Sequence, residues 1–177
     1  MIKSIIAGGM LLILFGCSSV SVTTDYDPAL DFNKYKTFAV FKDAVQGSFL
    51  ENAPLIKARV LDAVEKSLSD KGMLETEMDK ADLIVYPFAG TKEKMNITDW
   101  GYSYGRYWRG NPYGRNIDVN SYTEASLVLD LVDNKSDELI WRGVGIGTIN
   151  PNKSPEERTK AIDEAVSKIL GKFPPSK

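Results

Sequence analysis

The residues best suited to chemistry are concentrated in one short stretch. Trp100 to Tyr113 reads Trp-Gly-Tyr-Ser-Tyr-Gly-Arg-Tyr-Trp-Arg-Gly-Asn-Pro-Tyr and holds six of the chain's 18 aromatic residues in 14 positions. Arg106 and Arg109 lie inside it and Arg115 just beyond. Trp, Tyr and Arg dominate binding hot spots, because each joins a large contact area to a polar tip. Trp100, Tyr102, Tyr104, Arg106, Tyr107, Trp108, Arg109 and Tyr113 therefore form the candidate binding surface. The same side chains suit stacking on sugars, or a lipid headgroup layer where Trp and Tyr are favoured. Glycines at 101, 105, 110 and 114 oppose a helix. The expectation is a long loop between two strands; the plainer alternative is a loop whose rings fold back onto the sheet.

Catalytic vocabulary is thin elsewhere. The chain has no histidine and one cysteine, Cys17. That excludes Ser-His-Asp and Cys-His catalysis, His-ligated zinc, an internal disulfide and any multi-cysteine metal site. With 22 basic and 24 acidic side chains the formal net charge is −2, which argues against a nucleic-acid partner. Carboxylates are plentiful (Asp79, Asp82, Glu93, Asp99, Asp118, Glu124, Asp130, Asp133), and a histidine-free hydrolase would need two of them paired across a substrate. Asp130 and Asp133 read instead as solvating a hairpin turn. The acidic cluster from Asp133 to Glu138 lacks the spaced oxygen ligands of a calcium loop, so no metal and no cofactor is expected. Gly143, Gly145 and Gly147 form a GxGxG string without the strand–turn–helix setting of a dinucleotide site. Trp141-Arg142-Gly143 reads as a core Trp, an outward Arg and a Gly that allows close packing, in preference to a ligand-facing Trp–Arg pair.

The N-terminus addresses the chain. Lys3 precedes an uncharged apolar stretch of 11 residues, Ile5 to Phe15. At about 1.5 Å per helical residue this is too short to cross about 30 Å of hydrocarbon, and it fits a signal-peptide core. Leu14-Phe15-Gly16-Cys17 resembles a bacterial lipobox, with Phe15 where a small residue is usual. The resemblance implies that residues 1–16 are a signal peptide and that Cys17 carries the lipid anchor, whose paired acyl chains suffice for stable attachment. Ser18 and Ser19 follow, with no Asp after the cysteine, which implies passage to the outer membrane. A strand pattern starting near Val20 leaves a very short tether.

The remaining elements can be read from periodicity. Val20, Val22 and Thr24 alternate as a strand before a turn at 25–28, and Lys36 to Phe41 makes a second. Asn52 as N-cap and Pro54 open a helix striped by Ile56, Val60, Leu61, Val64 and Leu68, closed by Gly72. Asp82 to Phe88 is a strand that Pro87 consigns to an edge or a bulge. Ser121 to Val132 and Glu138 to Thr148 form a long hairpin, in which Ala125, Leu127, Leu129 and Leu131 share a face. Ser154-Pro155-Glu156-Glu157 is a capping box for a last helix over Ile162, Ala165, Val166, Ile169 and Leu170. The expected fold is α+β: a two-layer sandwich, mostly antiparallel, with two amphipathic helices on one face of the sheet. Residues 20–177 show no internal repeat or boundary and are expected to form a single domain.

Thr24-Asp-Tyr-Asp-Pro28, Phe32-Asn-Lys-Tyr-Lys-Thr-Phe38, Leu129-Asp-Leu-Val-Asp133 and Leu139-Ile-Trp-Arg-Gly143, in that order and followed by Phe173-Pro-Pro175, resemble the bacterial lipoproteins of the DUF4136 family, a domain of unknown function. The resemblance spans the whole mature chain and implies an α+β lipoprotein; it carries over no catalytic residue. The functional expectation is a non-enzymatic binding or scaffold module, lipid-anchored at the periplasmic face of the outer membrane. The alternative is a glycan- or peptidoglycan-binding module, or a carboxylate hydrolase, using the aromatic loop.

Overall fold

The computed structural model describes residues 20–99 and 117–175, the side chains of 93–122 apart. Its elements are β1 (Ser21–Tyr26), β2 (Thr37–Val40), α1 (Pro54–Asp70), β3 (Leu74–Glu75), β4 (Leu83–Asp99), β5 (Ile117–Asp133), β6 (Glu138–Ile149) and α2 (Pro155–Leu170). Among the described residues the strands form one sheet in the order β1-β6-β5-β4-β2-β3. The pairings of β2 with β3 and with β4 are parallel and the rest are antiparallel. The helices pack together on one face, α2 over β6 and β1 and α1 over β2 and β3. This is the expected two-layer α+β sandwich.

Alternation of side chains decides what that face buries. From the sheet come Phe38, Leu83, Val85, Leu129, Leu131 and Trp141; from the helices Val64, Leu68, Val166, Ile169 and Leu170, all nearly or fully buried. Each contributes roughly 1.5–3 kcal/mol relative to exposure. Phe173, after α2, closes the layer edge-on against Trp141, with ring centroids 5.5 Å apart. The glycine string in β6 lets α2 approach: a Cβ on Gly143 would lie 2.3 Å from Trp141 Cη2 and 2.5 Å from Ile169 Cγ2. The core Trp, outward Arg and close-packing Gly of 141–143 are thus as read from the sequence.

Local chemistry fixes the ends. Ser154 and Glu157 form the expected reciprocal capping box of α2. Gly72, at φ +83°, follows α1 as the left-handed residue, and Met73 N–H donates to the Leu68 carbonyl. Asn52 is not the cap of α1. It ends a 3₁₀ turn, Phe49–Asn52, that Ser48 caps, and this turn feeds the helix through Ala53 without a side-chain cap. Asp25 and Tyr26 belong to β1, not to the turn, because β6 supplies register partners Arg142 and Trp141 for them. The Asp27 carboxylate then turns the chain by accepting from Ala29 N–H at 2.8 Å.

The strand read as Asp82–Phe88 is far longer. Pro87 nevertheless behaves as expected: β2 pairs with β4 only through Val85, and Ala89 N–H donates to Ser48 Oγ at 3.0 Å, so Pro87 faces a gap between two partners. The parallel pair starts at a reciprocal clamp. Asp82 accepts from Lys36 and Thr37 N–H at 2.9 and 3.0 Å, and Thr37 Oγ1 accepts from Asp82 N–H at 2.8 Å. These bonds hold the Asp82 carboxyl below its ordinary range, the Lys36 amide first among them.

Candidate functional site: the uncovered sheet face

The helices cover one face of the sheet; among the described residues the other is open. Strand alternation sends Tyr86 and Phe88 of β4, Val128 and Val132 of β5, and Val144 of β6 to this side. They surround a shallow depression of about 680 Å³, to which Val45 and Leu139 add rim contacts. Leu139 and Ile146 are 48% and 40% exposed, unusual for large apolar residues in paired strands. The inner strands therefore carry apolar side chains on the open face as well as on the covered one.

One ion pair sits in the middle. Asp130 and Arg142 are register partners on β5 and β6. Arg142 donates through Nε to Asp130 Oδ1 and through Nη2 to Oδ2, both at 2.6 Å. This bidentate bond, then the charge of Asp130, stabilises the guanidinium and raises its pKa. Asp25 on β1, level with Arg142, adds to the same field. Asp130 thus spans two strands and does not solvate the turn. Asp133 does hold the turn, accepting from Lys135 and Ser136 N–H, and it also accepts from Tyr35 Oη at 2.7 Å. The Tyr35 hydroxyl is the main cause that lowers the Asp133 carboxyl below its ordinary range.

The second feature is an arm. β5 leaves β6 at Thr123 and β4 leaves β2 at Val85, yet β4 and β5 stay paired out to Asp99 and Ile117. Their backbones run on as a two-stranded ribbon for six residues past the sheet, about 20 Å at 3.4 Å per residue. Ser21, the start of β1, is level with Ile146 and Ser126, and β1 runs parallel to β5. The chain therefore enters β1 at the end of the sheet from which the ribbon projects.

Cys17 and Trp100, Tyr102, Tyr104, Arg106, Tyr107, Trp108, Arg109 and Tyr113 lie outside the described residues. The open face is masked in the sequence by the stronger alternating core set beside it. Its signal is Val128 and Val132 each following a leucine of β5, Val144 and Ile146 between the glycines of β6, and Tyr86 and Phe88 in β4. Among the described residues no group of three or more His, Cys, Asp or Glu is arranged to hold a metal, and no helix is long and apolar enough to cross a membrane.

These observations define the chain as a two-layer α+β domain with one helix-covered and one uncovered sheet face. Residues 22–175 match DUF4136, a domain of unknown function, and the chain belongs to that family. Its fold is similar to that of a DUF4136 family protein from Bacteroides thetaiotaomicron, at 21% identity and TM-score 0.52 over 88% of this chain and 96% of that one. It is also similar to a PDZ domain protein from Parabacteroides distasonis, at 15% identity and TM-score 0.58 over 89% of this chain. The chain spans 36% of that protein's length. Among curated proteins no sequence match is found.

Proposed function

We propose that the protein is a lipoprotein held to the outer membrane through Cys17, working at its periplasmic face as a non-enzymatic binding or scaffold module. The observation that carries this reading is the lipobox-like Leu14-Phe15-Gly16-Cys17 after the apolar stretch Ile5 to Phe15, and the direction of the strands agrees with it. Cys17 stands four residues before β1, so at full extension it reaches about 14 Å beyond Ser21. The ribbon end lies nine residues beyond Ser126, the level of Ser21, about 30 Å in the same direction. The tether thus keeps the start of β1 within about 14 Å of a membrane that holds Cys17, and the ribbon, which leaves the sheet at that end, is long enough to reach that membrane. The aromatic and basic residues between 100 and 113 follow from that end. Trp and Tyr favour the headgroup layer, and Arg favours anionic headgroups or an envelope partner lying there. The uncovered sheet face supplies a docking surface beside the membrane.

The test is metabolic labelling with radioactive palmitate, followed by separation of inner and outer membranes. The wild-type chain should carry label and sediment with the outer membrane, and Cys17→Ala should lose both. Label retained by Cys17→Ala, or an unlabelled wild-type chain in the soluble fraction, contradicts the reading. If loss of the lipid is lethal to export, conditional expression of the variant gives the same comparison.

A further inference from the structure

We infer that the uncovered face binds a second copy of this chain, sheet against sheet, about a two-fold axis that runs along the strands between β5 and β6. The occupant follows from the order of side chains across the face. At one level the row reads Tyr86 on β4, Asp130 on β5, Arg142 on β6 and Asp25 on β1. A two-fold axis along the strands keeps every residue at its level and reverses the row. Asp130 then meets Arg142 of the second copy, Arg142 meets its Asp130, and Tyr86 meets its Asp25. The next row, Phe88, Val128, Val144 and Thr23, reverses to stack Val128 on Val144 and Phe88 on Thr23.

Charge rules out the other simple arrangement. An axis across the strands, at the level of the ion pair, would set Arg142 on Arg142 and Asp130 on Asp130. Distance allows the first one: aligned sheets stack about 10 Å apart, so the Arg142–Asp130 pairs standing on the two faces meet near the middle of the gap. The donors are also available. The bond within the chain uses two of the five guanidinium N–H groups, leaving three for the carboxylate of the second copy. Arg142 keeps 48% of its side-chain surface exposed, so it is reachable. The charges set register, and the flanking valines and aromatics supply the burial.

The same axis points both β1 starts in one direction. Two chains anchored in a single membrane require this, although the pairing itself does not depend on the anchor. Four strands by six residues give a plan area of roughly 400 Å² per copy, about 800 Å² in all, which is below the size of a stable interface and fits a weak pairing. Confinement to one surface would raise the effective concentration.

The experiment uses the full-length chain in intact cells, with a photo-crosslinking amino acid at Phe88 or, separately, at Ala58 on the exposed side of α1. Light should yield a product of twice the chain mass from position 88 and none from position 58. Arg142→Asp should cut that product at least tenfold, and Asp130→Arg with Arg142→Asp should restore it, since the exchanged pair keeps both the bond within the chain and the complementary row. A product of some other mass, or a crosslink within one chain to the 100–116 segment, overturns the inference in favour of that occupant. Equal yields from 58 and 88, no doubled product from 88, or no rescue by the exchanged pair also overturn it.

Discussion

Gly143 and Val144 are neighbours in β6 and look into different worlds. Gly143 is buried beneath Ile169 and Trp141, where no space remains for one methyl group. Val144 borders an open depression large enough for a ligand or the side chains of another protein. The contrast repeats at Leu131 and Val132 and at Leu129 and Val128: the odd-numbered residue is fully buried, the even-numbered one half-buried. Both faces of the sheet carry apolar side chains, the open one around a central ion pair, and among the described residues only one face is covered by helices. Apolar side chains needed for the fold are in the first set. The second set borders the open depression, and that exposure makes it the candidate for binding.

The largest expected effects fall on the covered face. Leu131→Ala should lower stability by about 2–5 kcal/mol, through lost transfer energy and a cavity. Val132→Ala should cost under about 1 kcal/mol, because its site is already partly solvated. Urea unfolding of the two variants measures the ratio; equal losses would break the distinction between the faces. Gly143→Ala should cost about 1–3 kcal/mol by overpacking, while Val144→Thr should leave the urea midpoint nearly unchanged and weaken association.

Smaller effects test the frame that holds both faces. Asp82→Ala removes the acceptor for two β2 amides and should cost about 1–3 kcal/mol. Asp82 and Asp133 both have folded pKa values below their unfolded ones. Their contribution is therefore present above the unfolded value near 4 and is lost as pH falls through the folded values. Acid titration of the unfolding midpoint should show stability declining below about pH 4, and Asp82→Asn with Asp133→Asn should flatten that decline. Ser154→Ala should cost about 1 kcal/mol by removing the cap of α2. Least of all, replacing residues 100–116 with Asn-Gly should leave the midpoint almost unmoved, since the ribbon end lies beyond the packed sheet.

Much of this architecture was legible in the sequence, for reasons that differ by element. α2 was readable because its cap, first-turn proline and apolar stripe agree. The covered face was readable because Leu127, Leu129 and Leu131 alternate with less apolar neighbours. β1 runs past its readable end: Asp25-Tyr26-Asp27-Pro28 has turn chemistry, and only pairing with β6, more than a hundred residues away, overrides it. Asn52 looked like a cap because a 3₁₀ turn cannot be told from a helix start by residue type. Asp130 could not be linked to Arg142 before the hairpin register was known; a bulge between Leu131 and Val132 shifts that register by one. The open face was hidden because a half-buried apolar residue in a strand resembles a core residue until the covering layer is counted.

The most direct test of the account is charge complementation between two differently tagged copies of the full-length chain, co-expressed and recovered through one tag. Asp130→Arg puts two positive charges in the central row, and Arg142→Asp puts two negative charges there. Each variant should fail to recover a second copy of itself, whereas the mixture should recover the other copy as efficiently as the wild-type pair. Recovery that is the same in all combinations, or absent from the wild-type pair, would contradict the claim that the uncovered face is built to meet its own image.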